Sequence, residues 1–255
     1  MTNNTFVLGQ PGNGKGFIDL NRQKLPDPNA FILGTAGYGV GHFTRKEILS
    51  AYYGSEKNRI VIIDAFGDYC KWAKDLGGEV INITAVSNIH ATADSRVICF
   101  NLGSMDFEMI QIGIITVMDY IWHVMRPDCK TGAHCYVYID DAELLFRDDV
   151  CENCIKDFYK RARPYGFVLT LVSRTPGTIL NSDIGISLLS LTECVVVLSL
   201  SRVNADRVTE LFGLTDKQRQ KIEKAGQGEG LLLKGEMVIT IEDFSVKSCQ
   251  TRRFA

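Results

Sequence analysis

Three things are scarce in this chain: proline, net charge and long apolar runs. Only 6 of its 255 residues are Pro, and no linker or low-complexity segment is evident. The formal charge is −2. That supplies no bulk attraction for nucleic acid, so any such contact would need a local patch. The longest apolar stretches, such as CVVVLSL at 194–200, are far too short to span a bilayer. Direct insertion is therefore excluded, and any membrane association would come through partners. Neither repeats nor a secretion signal are present, so the eight cysteines are expected as reduced thiols in the cytoplasm. The rest is an ordinary globular composition, 45% hydrophobic, able to bury one large core or two small ones.

Among the cysteines, Cys151 and Cys154 in CENC invite a metal or redox reading. Zinc would need two more ligands, and Cys129, His134 and Cys135 lie close in sequence. No second CxxC exists, however, and CENC sits early in a helical pattern rather than in a knuckle. A structural role is the favoured reading.

Short β-branched runs alternate with helical patterns. FILG (31–34), RIVIID (59–64), EVINI (79–83), CYVYIDD (135–141), FVLTLVS (167–173) and CVVVLSL (194–200) read as strands, several of them apolar throughout. Between them stand HFTRKEILSAYYG, GDYCKWAKDLG, DFEMIQIGIITVMDYIWHVM, NCIKDFYKRARPYG and TPGTILNSDIGISLL, each of helical length. NADRVTELFG and TDKQRQKIEKAG add two helices, and EGLLLKGEMVITIEDF closes the chain as a hairpin turning at Lys234-Gly235. This order predicts an α/β domain with a mostly parallel sheet.

Two segments approach the phosphate-loop pattern G-x-x-x-x-G-K-[ST]. GQPGNGKG (9–16) has the lysine, Lys15, but Gly16 replaces the hydroxyl residue. Behind it, FIDLNRQ and KLPDPN leave little room for a helix, and FVLGQ and GFIDLN around Asn-Gly read as a β-hairpin. GTAGYGVG (34–41) has the right surroundings: FILG as the delivering strand, an amphipathic helix behind, and Gly34, Gly37 and Gly39 where tight backbone is needed. Its cofactor-contacting positions are Gly34, Thr35, Ala36, Gly37, Tyr38, Gly39, Val40, Gly41 and His42. The chemistry is what it lacks. Val40 cannot neutralise the β/γ-phosphates, and Gly41 has no hydroxyl for Mg²⁺. His42 could stack on a base or touch a phosphate, or simply be a solvated side chain at a helix start. Further on, CYVYIDD ends a buried strand with two carboxylates. In a phosphate-loop protein Asp140 would hold the magnesium's water shell, and Asp141 would orient the attacking water.

The segments PNAFILGTAGYGVGHFTRKEI, RIVIIDAFGDYCKWAKDLGGEVINI, YVYIDDAELLF, FYKRARPYGFVLTLVSR and NADRVTELFGLT to GEGLLLKG resemble, in order, the C-terminal motor domain of the VirB-type conjugative-transfer ATPases of type IV secretion. These belong to the FtsK–HerA branch of RecA-like motors. The likeness runs from about Arg22 onward, with GGEVINI and KRARPYG its most specific parts. It implies a RecA-like P-loop NTPase fold over 30–255, led in by a hairpin over 1–29, and ATP or ADP with Mg as cofactor. It also implies assembly as a homo-oligomer, a hexameric ring, or with other secretion-apparatus proteins.

The departures fall on the chemistry. The family carries Lys-Ser or Lys-Thr at Val40-Gly41, Glu at Asp141, and a polar Gln where this chain has Arg174, while Asp140 persists. Nucleotide is accordingly expected to bind weakly or not at all, with hydrolysis lost or much reduced. A working motor would need a relocated cation, for which Lys46, Lys15 and Arg174 are candidates. Ring-forming relatives complete a neighbour's site with an arginine, and Arg161, Arg163 and Arg207 are candidates here. Cations ending a helix are an equal explanation for the first two. Lys156, Lys160, Arg161 and Arg163 make a modest basic face that could touch DNA, a weaker expectation in a chain with no net positive charge.

Overall fold

A computed structural model describes residues 7–11, 18–19, 22, 25–84, 89, 95–126 and 132–242. In chain order the elements begin with β1 (Val7–Pro11), β2 (Ile18–Asp19), β3 (Ala30–Leu33) and α1 (Val40–Gly54). Next come β4 (Arg59–Asp64), α2 (Cys70–Asp75), β5 (Glu79–Asn82), β6 (Val97–Asn101) and α3 (Phe107–Val124). β7 (Cys135–Ile139), α4 (Asp149–Ala162) and β8 (Phe167–Ser173) follow. The last third holds α5 (Asp183–Leu191), β9 (Cys194–Val197), α6 (Arg202–Phe212), α7 (Asp216–Glu223), β10 (Glu229–Lys234) and β11 (Met237–Glu242). Contacts divide the chain into unit one, Met1–Gly54 with Val172–Ala255, and unit two, Ser55–Leu171.

In unit one the strands run β2-β1-β11-β10-β9-β3. Only β3 and β9 pair parallel. The rest are antiparallel, because the lead-in β1–β2 and the closing β10–β11 are hairpins. The closing turn falls one residue later than the sequence suggests, since Lys234 pairs with Met237 and leaves Gly235 and Glu236 as the loop. Residues 12–17, with Lys15 and Gly16, lie outside the described residues. One apolar cluster joins Ala30, Ile32, Phe43, Cys194, Val196, Leu198, Leu232 and Ile241, with Val40 among them. Helix α1 joins it through Val40 and Phe43 and also buries Ile48 and Ala51. Buried in the same stripe is Glu47, whose carboxylate accepts from Arg22 at 2.7 Å while the same guanidinium donates to Pro28 O at 2.8 Å. That pair ties the segment entering β3 to the helix leaving the loop. Near the end of the chain, the segment TPGTILNSDIGISLL is not one helix. Ser182 accepts from Gly185 N at 2.9 Å and caps a new start, splitting a 3₁₀ turn at Ile179–Asn181 from α5.

Unit two is wholly parallel, in the order β8-β7-β4-β6-β5. β4, β6, β7 and β8 are buried almost throughout, as strands covered on both sides must be, while the edge strand β5 is only partly buried. β6 escaped the sequence reading: VICFN is a short run that no turn signal sets apart. Yet it is buried through Phe100 and is the strand that joins β5 to β4. Helix α3 lays Ile110, Ile114, Val117 and Ile121 against the sheet at helical spacing. α4 starts earlier than expected because Asp148 caps it, accepting from Val150 N and Cys151 N. Cys151 is therefore a buried residue of the first turn, its thiol pushed up to about 12 by burial and by Asp148. The zinc reading of CENC finds no cluster among the described residues, and Cys129 lies outside them.

Removing one partner of the Arg22–Glu47 pair leaves a buried charge uncompensated. Glu47→Ala is expected to lower unfolding stability by about 3 kcal/mol in urea titrations. Arg219→Ala, which loses the more exposed bridges to Asp206 and Glu223, is expected to lower it by less than about 1 kcal/mol.

Candidate nucleotide-binding site

Strand β3 delivers the chain into the loop at Gly34, and two neighbouring strand ends fix where it goes. Gly34 N donates to Ser173 O at 3.1 Å, and Thr35 N donates to Ser199 O at 2.8 Å. Gly34 must lack a side chain: a Cβ there would stand 2.7 Å from Val40 Cγ2 and 3.0 Å from Leu198 Cβ. The loop then turns on Gly37 and Gly39, with φ of 85° and 100°, values that L side chains rarely adopt. Residues 35–38 are exposed, and α1 begins at Val40.

The loop's own carbonyls are held from the C-terminal side of unit one. Gln227 Nε2 donates to Gly37 O at 3.0 Å, and Gly228 N donates to Tyr38 O at 3.1 Å. This brace was not expected from sequence. GQGE between a helix and a strand looks like any connecting turn, and nothing local says that it reaches back some 190 positions.

These bonds leave several of the loop's own N–H groups over. Among the described residues, no protein group accepts from the N–H of Ala36, Gly37 or Gly39. The first turn of α1 adds N–H groups that have no intrahelical partner, and it carries no acidic side chain. Such an arrangement suits a phosphate. Val40 does not contribute to it. At 2% exposure its side chain belongs to the apolar cluster, packed against Gly34. Gly41 and His42 are half-buried on the first turn, and His42 already has an interaction partner. Arg174 directly follows Ser173, whose carbonyl receives Gly34 N. It is half-buried and already engaged. Lys46 is half-buried on α1 and also engaged.

In unit two, Asp140 and Asp141 follow β7 and are 2% and 7% exposed. Asp140 N donates to Ile63 O at 3.0 Å, which fixes it beside the end of β4. Asp141 has φ 51°, the one left-handed non-glycine among the described residues. Aspartate tolerates that conformation better than most residues, at a cost of about 1 kcal/mol. Its carbonyl then accepts from Leu144 N at 3.0 Å, starting the 3₁₀ turn Ala142–Phe146. A third carboxylate, Glu143, is buried in that turn at 4% exposure. The DDAE spacing could have flagged it, but a helical-period reading treats it as surface.

The three candidate subunit-contact arginines fare differently. Arg161 lies over the Trp122 ring at 4.5 Å, within an aromatic group that includes Phe158, Tyr165 and Phe167. Arg126 covers the same ring at 4.6 Å. Arg163 is exposed where α4 passes into a 3₁₀ turn, and Arg207 is half-buried on α6. Lys156 is half-buried on α4, and Lys160 is exposed.

No protein-family model matches the chain. No curated protein matches it in sequence. Solved structures do match in fold. VirB4 of Thermoanaerobacter pseudethanolicus aligns with a TM-score of 0.83 at 16% identity, over 94% of this chain and 96% of that one. The genome packaging NTPase B204 of Sulfolobus turreted icosahedral virus 2, in complex with ATP-gammaS, gives 0.60 at 15%, over 86% and 98%. The cytoplasmic domain of the Thermomonospora curvata type VII secretion ATPase EccC gives 0.62 at 14%, over 94% of this chain but 26% of that one. No helix among the described residues is long and apolar enough to cross a membrane. The chain thus has the mixed α/β fold of the P-loop ATPases that these three structures represent, as its sequence resemblance to the FtsK–HerA branch implies.

Proposed function

We propose that this chain is a degenerate conjugative-transfer ATPase-like domain. It serves as a structural or nucleotide-sensing component of a DNA-transfer or type IV secretion apparatus, with hydrolysis lost or much reduced. The observation that supports this best is Val40. The residue in the lysine's place is a buried member of the core, while the N–H groups of Ala36, Gly37 and Gly39 have no protein acceptor among the described residues. Such a loop can weakly hold the phosphates of ATP or ADP through backbone dipoles. It cannot supply the positive charge that phosphoryl transfer depends on. When bound, magnesium would supply positive charge at the phosphates. The residues that the resemblance assigns to that work are Asp140 for the metal's water shell and Asp141 for the attacking water, the latter with a side chain one methylene shorter than the family's.

On this reading the partners are further copies of the chain in a ring, or other apparatus proteins, and DNA is a weaker third. Arg161 supports the ring less than Arg163 and Arg207 do, because its guanidinium is already committed to Trp122. The location is the cytoplasm or, through partners, the inner face of the membrane.

Calorimetric titration of Mg-ATP and Mg-ADP into the natural protein is expected to give weak binding or none. The Val40→Lys/Gly41→Ser variant is expected to bind at least tenfold more tightly, about 1.4 kcal/mol, with its fold checked by circular dichroism. Tight binding by the natural protein, unimproved in the restored one, would overturn the proposal.

One observation favours a second reading, a working ATPase with a relocated cation: Arg174 follows the residue that anchors the loop. Arg174→Met and Lys46→Met are each expected to leave nucleotide affinity unchanged within about twofold. A tenfold loss in either, about 1.4 kcal/mol, would transfer support to the working motor.

A further inference from the structure

Unit two holds a side-chain cluster that the phosphate-loop reading does not use. Asp64 ends β4 and is wholly buried. Its Oδ1 accepts from Gly67 N at 2.8 Å and Asp68 N at 3.0 Å, and its Oδ2 accepts from Tyr69 N at 2.7 Å. Two thiols face the same Oδ2: Cys70 Sγ at 3.6 Å and Cys99 Sγ at 3.8 Å. Cys70 is the first residue of α2 and half-buried, while Cys99 sits mid-strand in β6 at 0% exposure.

A carboxylate has about four lone-pair sites. Three are taken by backbone N–H groups, so two thiols converge on the one that is left. A single S–H bond would satisfy it. The second sulfur is surplus to capping the turn, yet it is buried beside the first, all ligand atoms lying within 4.8 Å of one another.

The spacing fits a cation. Zn–S bonds of about 2.3 Å and a Zn–O bond of about 2.0 Å put the S···O edge of a tetrahedral site at about 3.5 Å. The two sulfurs, at 3.6 and 3.8 Å from the oxygen, stand just beyond that edge. The donor set, two sulfurs and one carboxylate oxygen, suits a soft or borderline divalent ion rather than calcium or magnesium. Backbone N–H groups on both oxygens hold the carboxylate still and offset its charge, as outer-shell donors do at metal sites.

We propose that Asp64, Cys70 and Cys99 form a binding site for a zinc-like divalent cation, with its fourth position open to water on the half-buried Cys70 side. Binding displaces both thiol protons to solvent and leaves two thiolates and one carboxylate on the ion. It pins the end of β4, the start of α2 and the middle of β6 to one point. The site is independent of the nucleotide loop and of the nucleotide reading.

The test uses the full chain in a Cys151→Ser/Cys154→Ser background, so that CENC cannot contribute. The reduced, metal-free protein is titrated with Co²⁺ and then Zn²⁺. The expected result is one Co²⁺ per chain, with a thiolate charge-transfer band and tetrahedral d–d bands that Zn²⁺ bleaches. Affinity is expected to fall at least tenfold in Cys99→Ser and in Cys70→Ser. If Cys99→Ser misfolds, Cys70→Ser decides alone, because its side chain is at the rim. Absence of thiolate bands overturns the proposal. So does an unchanged spectrum in folded Cys70→Ser. Recovery of Cys70 and Cys99 as a disulfide that forms in preference to metal loading overturns it as well.

Discussion

The seat of Val40 against Gly34 and Leu198 is the contact around which unit one is organised. Gly34 has no Cβ, so α1 can start almost on top of the strand that delivers it. That closeness sets the loop between them. The same contact also fixes what the loop cannot do. A side chain needed for packing at this point is not available for charge neutralisation, and a branched aliphatic fills the space without reaching out of it. Arg22 and Glu47 then lock the incoming segment to the outgoing helix behind the core. Ser173, Ser199, Gln227 and Gly228 hold the loop from the other sides.

Architecture and chemistry have therefore parted company along this chain. The backbone devices of a phosphate loop are present: two left-handed glycines, anchored strand ends and a helix start without acidic side chains. On the proposed reading the lysine and hydroxyl of such a loop are what this chain lacks. Unit two shows the reverse emphasis, with Asp140 and Asp141 kept buried and Asp141 held in a conformation that costs energy. Strain of this kind persists where the surroundings impose it, and it gathers at working sites.

The strand–loop–helix unit was legible in the sequence because each part has a local signal: an apolar run, clustered glycines, then helical periodicity. The two terminal hairpins were legible for similar reasons. β6 was not, since a short apolar run with no flanking turn fits strand and helix alike. The break before α5 hinged on one serine cap. The site's long-range parts were invisible in principle. Gln227 reaching Gly37, Arg161 folding onto Trp122 and Cys99 meeting Cys70 across Asp64 are products of topology, and no window of residues encodes them. Val40 is the instructive residue. Sequence identified it as a missing cation, and only packing shows that it is also a present piece of core.

The most direct measurement is single-turnover ATP hydrolysis, with protein in excess over radiolabelled Mg-ATP and an Asp140→Ala variant run in parallel. The account predicts that both proteins release phosphate at the same background rate. Phosphate release by the natural protein that disappears in Asp140→Ala would contradict it and would mean that the loop still drives chemistry without its lysine.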